Sequence, residues 1–169
     1  MPRLAFYTFT ILKAPEGHAE VQGMFDRMFF VFFAADRTPG FIDRARNEAD
    51  WGPHGYPRFF KDGEHAGAVV SLSLWEDLSA VHRFSYSGAH LEAFKKRKEW
   101  LLPPTWPTYV AWWVADDHTP SWVEACQRLE HLNDHGSTAF AFDFKKPFDA
   151  QGQPTRVKKK KDAEEARQA

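Results

Sequence analysis

The sequence predicts a single α+β domain, and three observations carry that prediction. Strand-like and helix-like segments follow in the order strand, helix, strand, strand, helix, strand, with a further helix and a short strand behind them. At 169 residues and 43% hydrophobic composition the chain can bury one substantial core. Sixteen Phe, seven Trp and four Tyr suit a core or pocket built from large flat side chains.

The elements are justified in turn. Residues 3–12 are rich in β-branched and aromatic residues and stop at Lys13-Ala14-Pro15, which predicts a strand buried on much of both faces. Val21, Met24, Phe25, Met28, Phe29, Phe32 and Phe33 then recur at helical spacing and predict a wide apolar helix face, ended by Thr38-Pro39-Gly40. Residues 40–47 form a second, more polar strand, because Asp43, Arg44 and Arg46 suit a solvated face. Residues 48–66 have turn punctuation and no periodicity, yet carry Trp51, His54, Tyr56, Arg58, Phe59, Phe60 and His65, so they are read as a lid or pocket wall.

Residues 67–75 make the third strand, and Glu76-Asp77 opens a helix that pauses near Ser87-Gly88 and resumes to about Trp100. Pro103, Pro104 and Pro107 force a turn before the fourth strand, 108–114. Thr119 is the expected N-cap of a helix over 120–135, with Pro120 at its first position and Gly136 as its stop. Residues 138–144 alternate as a short terminal strand. From Asp149 the chain is too polar to bury apolar surface, so a domain over 1–148 and a disordered charged tail over 149–169 are expected.

The βαββαβ order is the ferredoxin-like arrangement, whose four-stranded antiparallel sheet has its helices on one side. The other face would be apolar, aromatic and bare. Pairing two such sheets buries it, so a homodimer forming a dimeric α/β barrel is expected.

Composition narrows the function classes. Twenty-two Lys plus Arg against 23 Asp plus Glu leave no basic field for nucleic acid, and the one basic cluster is Lys158 to Lys161. A single cysteine, Cys126, fits a reducing, cytoplasmic setting and reads as a buried small hydrophobe. No signal h-region or run of eighteen apolar residues is present, so no membrane partner is expected.

Several stretches carry a resemblance: Leu72-Ser73-Leu74-Trp75-Glu76, Phe84-Ser85-Tyr86-Ser87-Gly88-Ala89-His90, Lys96-Arg97-Lys98-Glu99-Trp100, Trp112-Trp113-Val114, Arg128-Leu129-Glu130-His131-Leu132 through His135-Gly136, and residues 140–148. Through them the chain resembles the family called domain of unknown function 3291, related to the antibiotic-biosynthesis-monooxygenase-like dimeric α+β barrels. Phe29 to Phe33 and the proline-rich 101–107 depart from the family pattern. The resemblance implies a cavity between sheet and helices. It implies chemistry from the wider superfamily: cofactor-independent oxygenation of polycyclic aromatic substrates, haem binding, or isomerisation.

His90, Ala93, Phe94, Arg97 and Trp100 share one helix face, which makes His90 and Arg97 the candidate catalytic pair. A neutral His90 can act as general base on an acidic O–H or C–H, with Arg97 stabilising the anion. Tyr86, Phe94, Trp113, Trp51, His54 and Tyr56 are the candidate walls for a small hydrophobic, aromatic or polyketide-like molecule. No cofactor is expected on this reading; the alternative is haem with His90 as axial ligand, and a third is a non-catalytic binding module. The competing structural reading has His90 donating to a backbone carbonyl or a serine and packing quietly. His131 and His135 at i, i+4 lack the Glu of a zinc motif and suit a helix C-terminus. Glu124 and Arg128 read as a surface pair.

Overall fold

In a computed structural model, which describes residues 1–47, 49–61 and 67–157, the strand predicted at the N-terminus forms over Arg3–Ile11 (β1). Helix Ala19–Asp36 (α1) follows, then the strands Phe41–Arg44 (β2) and Ala68–Trp75 (β3). The predicted second helix is two helices, Leu78–Ser85 (α2) and Gly88–Trp100 (α3). Strand Tyr109–Val114 (β4) and helix Trp122–His135 (α4) complete the elements. The strands pair antiparallel in the order β2-β3-β1-β4, with β1 central between β3 and β4. This is the ferredoxin-like order. No helix among the described residues is long and apolar enough to cross a membrane.

Local chemistry sets the boundaries. Asp77 caps α2 by accepting from the Ala80 amide, and the Ser87 hydroxyl donates to the Arg83 carbonyl where α2 ends and α3 begins. Gly40, at φ 89°, closes the turn after α1, and a Cβ there would stand 2.6 Å from the Ala80 Cβ, so only glycine fits. The predicted cap of α4 moves by two residues: Ser121, not Thr119, accepts from the Glu124 amide at 3.1 Å. The predicted strand over 138–144 shrinks to one bridge, Ala111 with Phe142. Asp143 ends it, because its carboxylate accepts from the amides of Lys145 and Lys146 and turns the chain away.

Period-two alternation divides the core between the two sheet faces. One face carries Ala5, Tyr7, Phe9, Leu72, Leu74, Val110 and Trp112, packed against Trp122, Ala125, Leu129 and Leu132 of α4 and against Phe60. Trp51, Tyr56 and Phe59 extend that cover. The sequence expectation of a bare aromatic face is therefore corrected: α4 and residues 49–61 bury it within one chain. The argument for sheet-on-sheet dimerisation goes with it.

The same packing settles the described part of the long loop, which is a fixed wall of the core rather than a lid. The Trp122 indole donates to the Asp50 carbonyl at 2.8 Å, and Asp50 Oδ2 accepts from the amides of Arg46 and Asn47. Arg58 pairs with Asp134 and Glu130 of α4. At the other end of the chain, residues 149–157, expected in the tail, instead form a turn held by Asp149, with Val157 packed beside Phe148 and Trp113. The remaining tail, Lys158 to Lys161 included, lies outside the described residues, as does His65.

Candidate functional site

The helix-covered face of the sheet is not sealed evenly. Leu4 and Phe6 of β1 join Trp75, Leu78, Val81 and Ala35 in one apolar cluster, while Leu12 joins Val21 and Trp100 in another. Between the two clusters the strands present Thr8 and Thr10 from β1, and Ser71 and Ser73 from β3, on that same face. Thr8, Thr10 and Ser71 are only half-buried although they lie on central strands. Helix α1 spans this interval. Its buried residues are Val21 and Ala35 alone, fourteen positions or about 21 Å apart, with Met24, Phe25, Met28 and Phe32 half-buried between them. A strip of hydroxyls therefore separates the two apolar clusters on the side of the sheet that α1 covers.

One of those hydroxyls has no partner. Thr8 Oγ1 donates to the Thr108 carbonyl at 3.0 Å and Ser73 Oγ to the Phe6 carbonyl at 3.3 Å, but Thr10 Oγ1 is buried with no hydrogen bond among the described residues. Thr10→Val keeps the shape and removes an unsatisfied group, so it is expected to raise stability by about 1 kcal/mol, read from the urea midpoint.

Helix α3 packs inward through Ala93 and Trp100, which join the Leu12 cluster, while His90 packs against the end of α2. His90 Nδ1 lies 2.8 Å from the Ser85 carbonyl and its ring packs on Phe84 at 4.9 Å. A carbonyl only accepts, so the proton sits on Nδ1 and Nε2 keeps its lone pair. Burial lowers the His90 pKa from its ordinary 6.5, and the bond to Ser85 offsets only part of that, so the ring is neutral at pH 7. Nε2 has no partner among the described residues. Arg97 donates to the Phe94 carbonyl at 2.8 Å and lies over the Phe94 ring at 4.0 Å, with no carboxylate partner among the described residues. Tyr86 meets Phe94 edge-on at 6.4 Å and also packs on His82 and Phe144.

The family model for the domain of unknown function (DUF3291) matches residues 3–159 of the chain. The chain belongs to this family. No curated protein matches it. Among solved structures, a protein of unknown function from Nitrosomonas europaea is 11% identical, with 72% of this chain and 97% of that one covered at a TM-score of 0.47. SnoaB, a cofactor-independent oxygenase from Streptomyces nogalater, is 13% identical, with 70% and 97% covered at 0.41. A dimeric ferredoxin-like protein of unknown function from Jannaschia sp. CCS1 is 14% identical, with 66% and 98% covered at 0.42. The ferredoxin-like assignment itself rests on the strand order and register.

In this DUF3291 chain the residues expected to form one pocket divide between the two sides of the sheet. His90 is half-buried on the side of α1 and α3, but Tyr86 and Phe94, expected as pocket walls beside it, are 45% and 41% exposed, and Arg97 lies over the Phe94 ring at the surface. Trp113 is on that side too, but its indole donates to the Phe148 carbonyl at 2.8 Å and its ring packs in the Leu4 and Phe6 cluster. Trp51, His54 and Tyr56 lie across the sheet, where His54 packs on Trp122 at 4.4 Å and on Tyr56 at 5.3 Å. They belong to the core under α4. Composition marked that segment as structured, but nothing in it told which sheet face it covers.

The remaining candidates have structural partners. His131 Nε2 sits 2.9 Å from Thr138 Oγ1 and its ring packs on His135 at 4.7 Å. Among the described residues no cluster of three His, Cys, Asp or Glu could hold a metal ion. Cys126 is buried, and desolvation pushes its thiol up to about 12. Glu124 exceeds the surface pair expected of it: it accepts from Arg128 at 2.9 Å, from the Trp112 indole at 2.9 Å, and lies 2.7 Å from His118 Nε2. Sequence reasoning did not single out Thr8, Thr10, Ser71 and Ser73, which share one sheet face. Their signal was present, as hydroxyls spaced by two in two adjacent strands.

Proposed function

We propose that the side of the sheet covered by α1 and α3 takes a small aromatic or polyketide-like molecule, and that His90 acts there as the general base of an enzyme. The observation that carries this reading is the 2.8 Å contact of His90 Nδ1 with the Ser85 carbonyl, which leaves Nε2 without a partner among the described residues. Such a nitrogen accepts a proton from a phenolic O–H or an activated C–H, which leaves a delocalised anion for isomerisation, cyclisation or reaction with dioxygen. The half-buried Met28 and Phe32 of α1 favour flat apolar rings, and Thr10, whose hydroxyl has no partner among the described residues, is the candidate donor to their oxygens. Arg97, free of any acid among the described residues, is the candidate for the anion, with Tyr86 and Phe94 as its aromatic wall.

Enlarging the threonines of the hydroxyl strip tests its use. Thr8→Leu with Thr10→Leu is expected to abolish quenching of tryptophan fluorescence by polycyclic phenols while leaving the circular dichroism spectrum folded. Unchanged quenching in the folded double variant would place binding elsewhere.

A second reading has the same observation behind it. An imidazole whose Nδ1–H is fixed by a carbonyl is oriented as metal-bound histidines are, so His90 would hold a haem through Nε2, and the haem would supply redox chemistry when bound. Haem titration that gives no Soret band, or one unchanged in His90→Ala, rejects it.

A further inference from the structure

The outward side of α1 is as aromatic as its inward side. Phe29 and Phe30 are 68% and 62% exposed and Phe33 is 45% exposed, and the three rings pack on one another at 5.6 and 6.0 Å. Three large side chains left in water on one helix make a patch of the kind that marks an interaction site. The patch is bounded by charge. Asp26 precedes it and has only the Gln22 amide as partner, at 2.8 Å; Arg37 follows it and lies over the Phe33 ring at 3.5 Å, with no acid partner among the described residues. Asp26, Phe30, Phe33 and Arg37 recur at i, i+4, i+7 and i+11, one stripe about 16 Å long. Beside it opens a groove of about 370 Å³ between α1 and the start of α3, lined by Arg27, Phe30, Gly88, Ala89 and Glu92.

This stripe is self-complementary under a two-fold axis. Two copies of α1 laid antiparallel and centred between Phe30 and Phe33 bring each Phe30 against the other chain's Phe33. The same register brings each Asp26 to the other chain's Arg37. A second copy is thereby favoured over an anionic surface, which would repel Asp26 and Glu92, and over an unrelated protein, for which the paired charges have no reason.

We infer that the chain self-associates through α1, forming an isologous antiparallel helix pair in which phenylalanines interleave and Asp26 meets Arg37 of the second copy. The sheet face, buried under α4, takes no part. Three phenylalanines and two ion pairs form an interface at the small end of the stable range, so the dimer dissociates at about micromolar concentration.

Sedimentation velocity across a concentration series of the full chain decides it. The wild type is expected to shift from monomer to dimer, and Phe30→Glu or Phe33→Glu to remain monomeric with an unchanged circular dichroism spectrum, the dissociation constant rising by about tenfold or more. Asp26→Arg and Arg37→Asp each weaken the dimer, and the two together restore it, because the reversed charges meet again. A wild type that stays monomeric overturns the proposal, and binding of that monomer to anionic vesicles would assign α1 to a lipid surface instead. A dimer that survives both phenylalanine substitutions, or a charge-reversed double variant no better than the singles, overturns it equally.

Discussion

Trp112→Ala is expected to lower the stability of the fold by about 3–5 kcal/mol, a large part of the total for a domain of this size. The indole is 0% exposed at the centre of the core between β4 and α4, so its removal leaves a cavity that flanking strands cannot close. It also takes from Glu124 one of the donors that hold its carboxylate. Trp112→Phe separates the two effects, since it retains most of the buried ring area and loses only the hydrogen bond to a charged acceptor, expected at about 1.5–3 kcal/mol. Urea unfolding followed by circular dichroism, with an unchanged m-value, reads both. Equal losses for the two variants would show that the hydrogen bond and not the packing dominates.

The same network predicts an acid response. Burial raises the Glu124 pKa, but the bonds from His118 and Arg128 together outweigh it and hold the carboxyl below its ordinary 4.5. A depressed carboxyl contributes stability that is full above the unfolded value and is lost as pH falls through the folded one. Glu124→Gln should therefore flatten the loss of stability below pH 4.5.

The second large effect concerns His90. On the proposed function, His90→Ala is expected to lower turnover of an acidic aromatic substrate by about 10²- to 10⁴-fold, because a positioned general base contributes on that scale. Exchange of the substrate's acidic C–H for deuterium, followed by NMR, measures the proton transfer directly. The active form is the neutral ring, whose pKa lies below 6.5, so activity should be flat at neutral pH and fall in acid below that value. His90→Gln should erase this acid limb together with the rate. Full activity with the limb intact in both variants would remove His90 from the mechanism. Stability offers an independent reading: below pH 6.5 the unfolded chain takes up a proton that the folded ring resists, so stability falls with pH, and His90→Gln lessens that slope.

Much of the architecture was legible in the chain itself. Hydrophobic period located β1, β3, β4 and α4 to within a few residues, because each buries a continuous face and period is what burial imposes. Gly40 and Gly136 ended helices where expected. Boundaries shifted where a side chain competed for the backbone, as Ser121 did for the cap of α4 and Asp143 did for the last strand. Spacing put His90, Ala93, Phe94, Arg97 and Trp100 on one helix face, but only Ala93 and Trp100 pack in the Leu12 cluster, and Phe94 stays 41% exposed.

The sequence by itself determined the elements of the ferredoxin-like core, their order and the place of His90 on its helix. Only the tertiary structure decided which apolar surfaces meet. Period says that Phe29, Phe33, Trp51 and Tyr56 are apolar at regular or irregular spacing, but it carries no information on what lies opposite them. Packing gave Trp51 and Tyr56 to the core under α4, closing the sheet face expected to pair two chains, and left Phe29 and Phe33 in solvent on α1. The physical reason is that burial is a property of pairs of surfaces. A strand or helix specifies its own face locally, while its partner is chosen by the whole chain competing to cover that face.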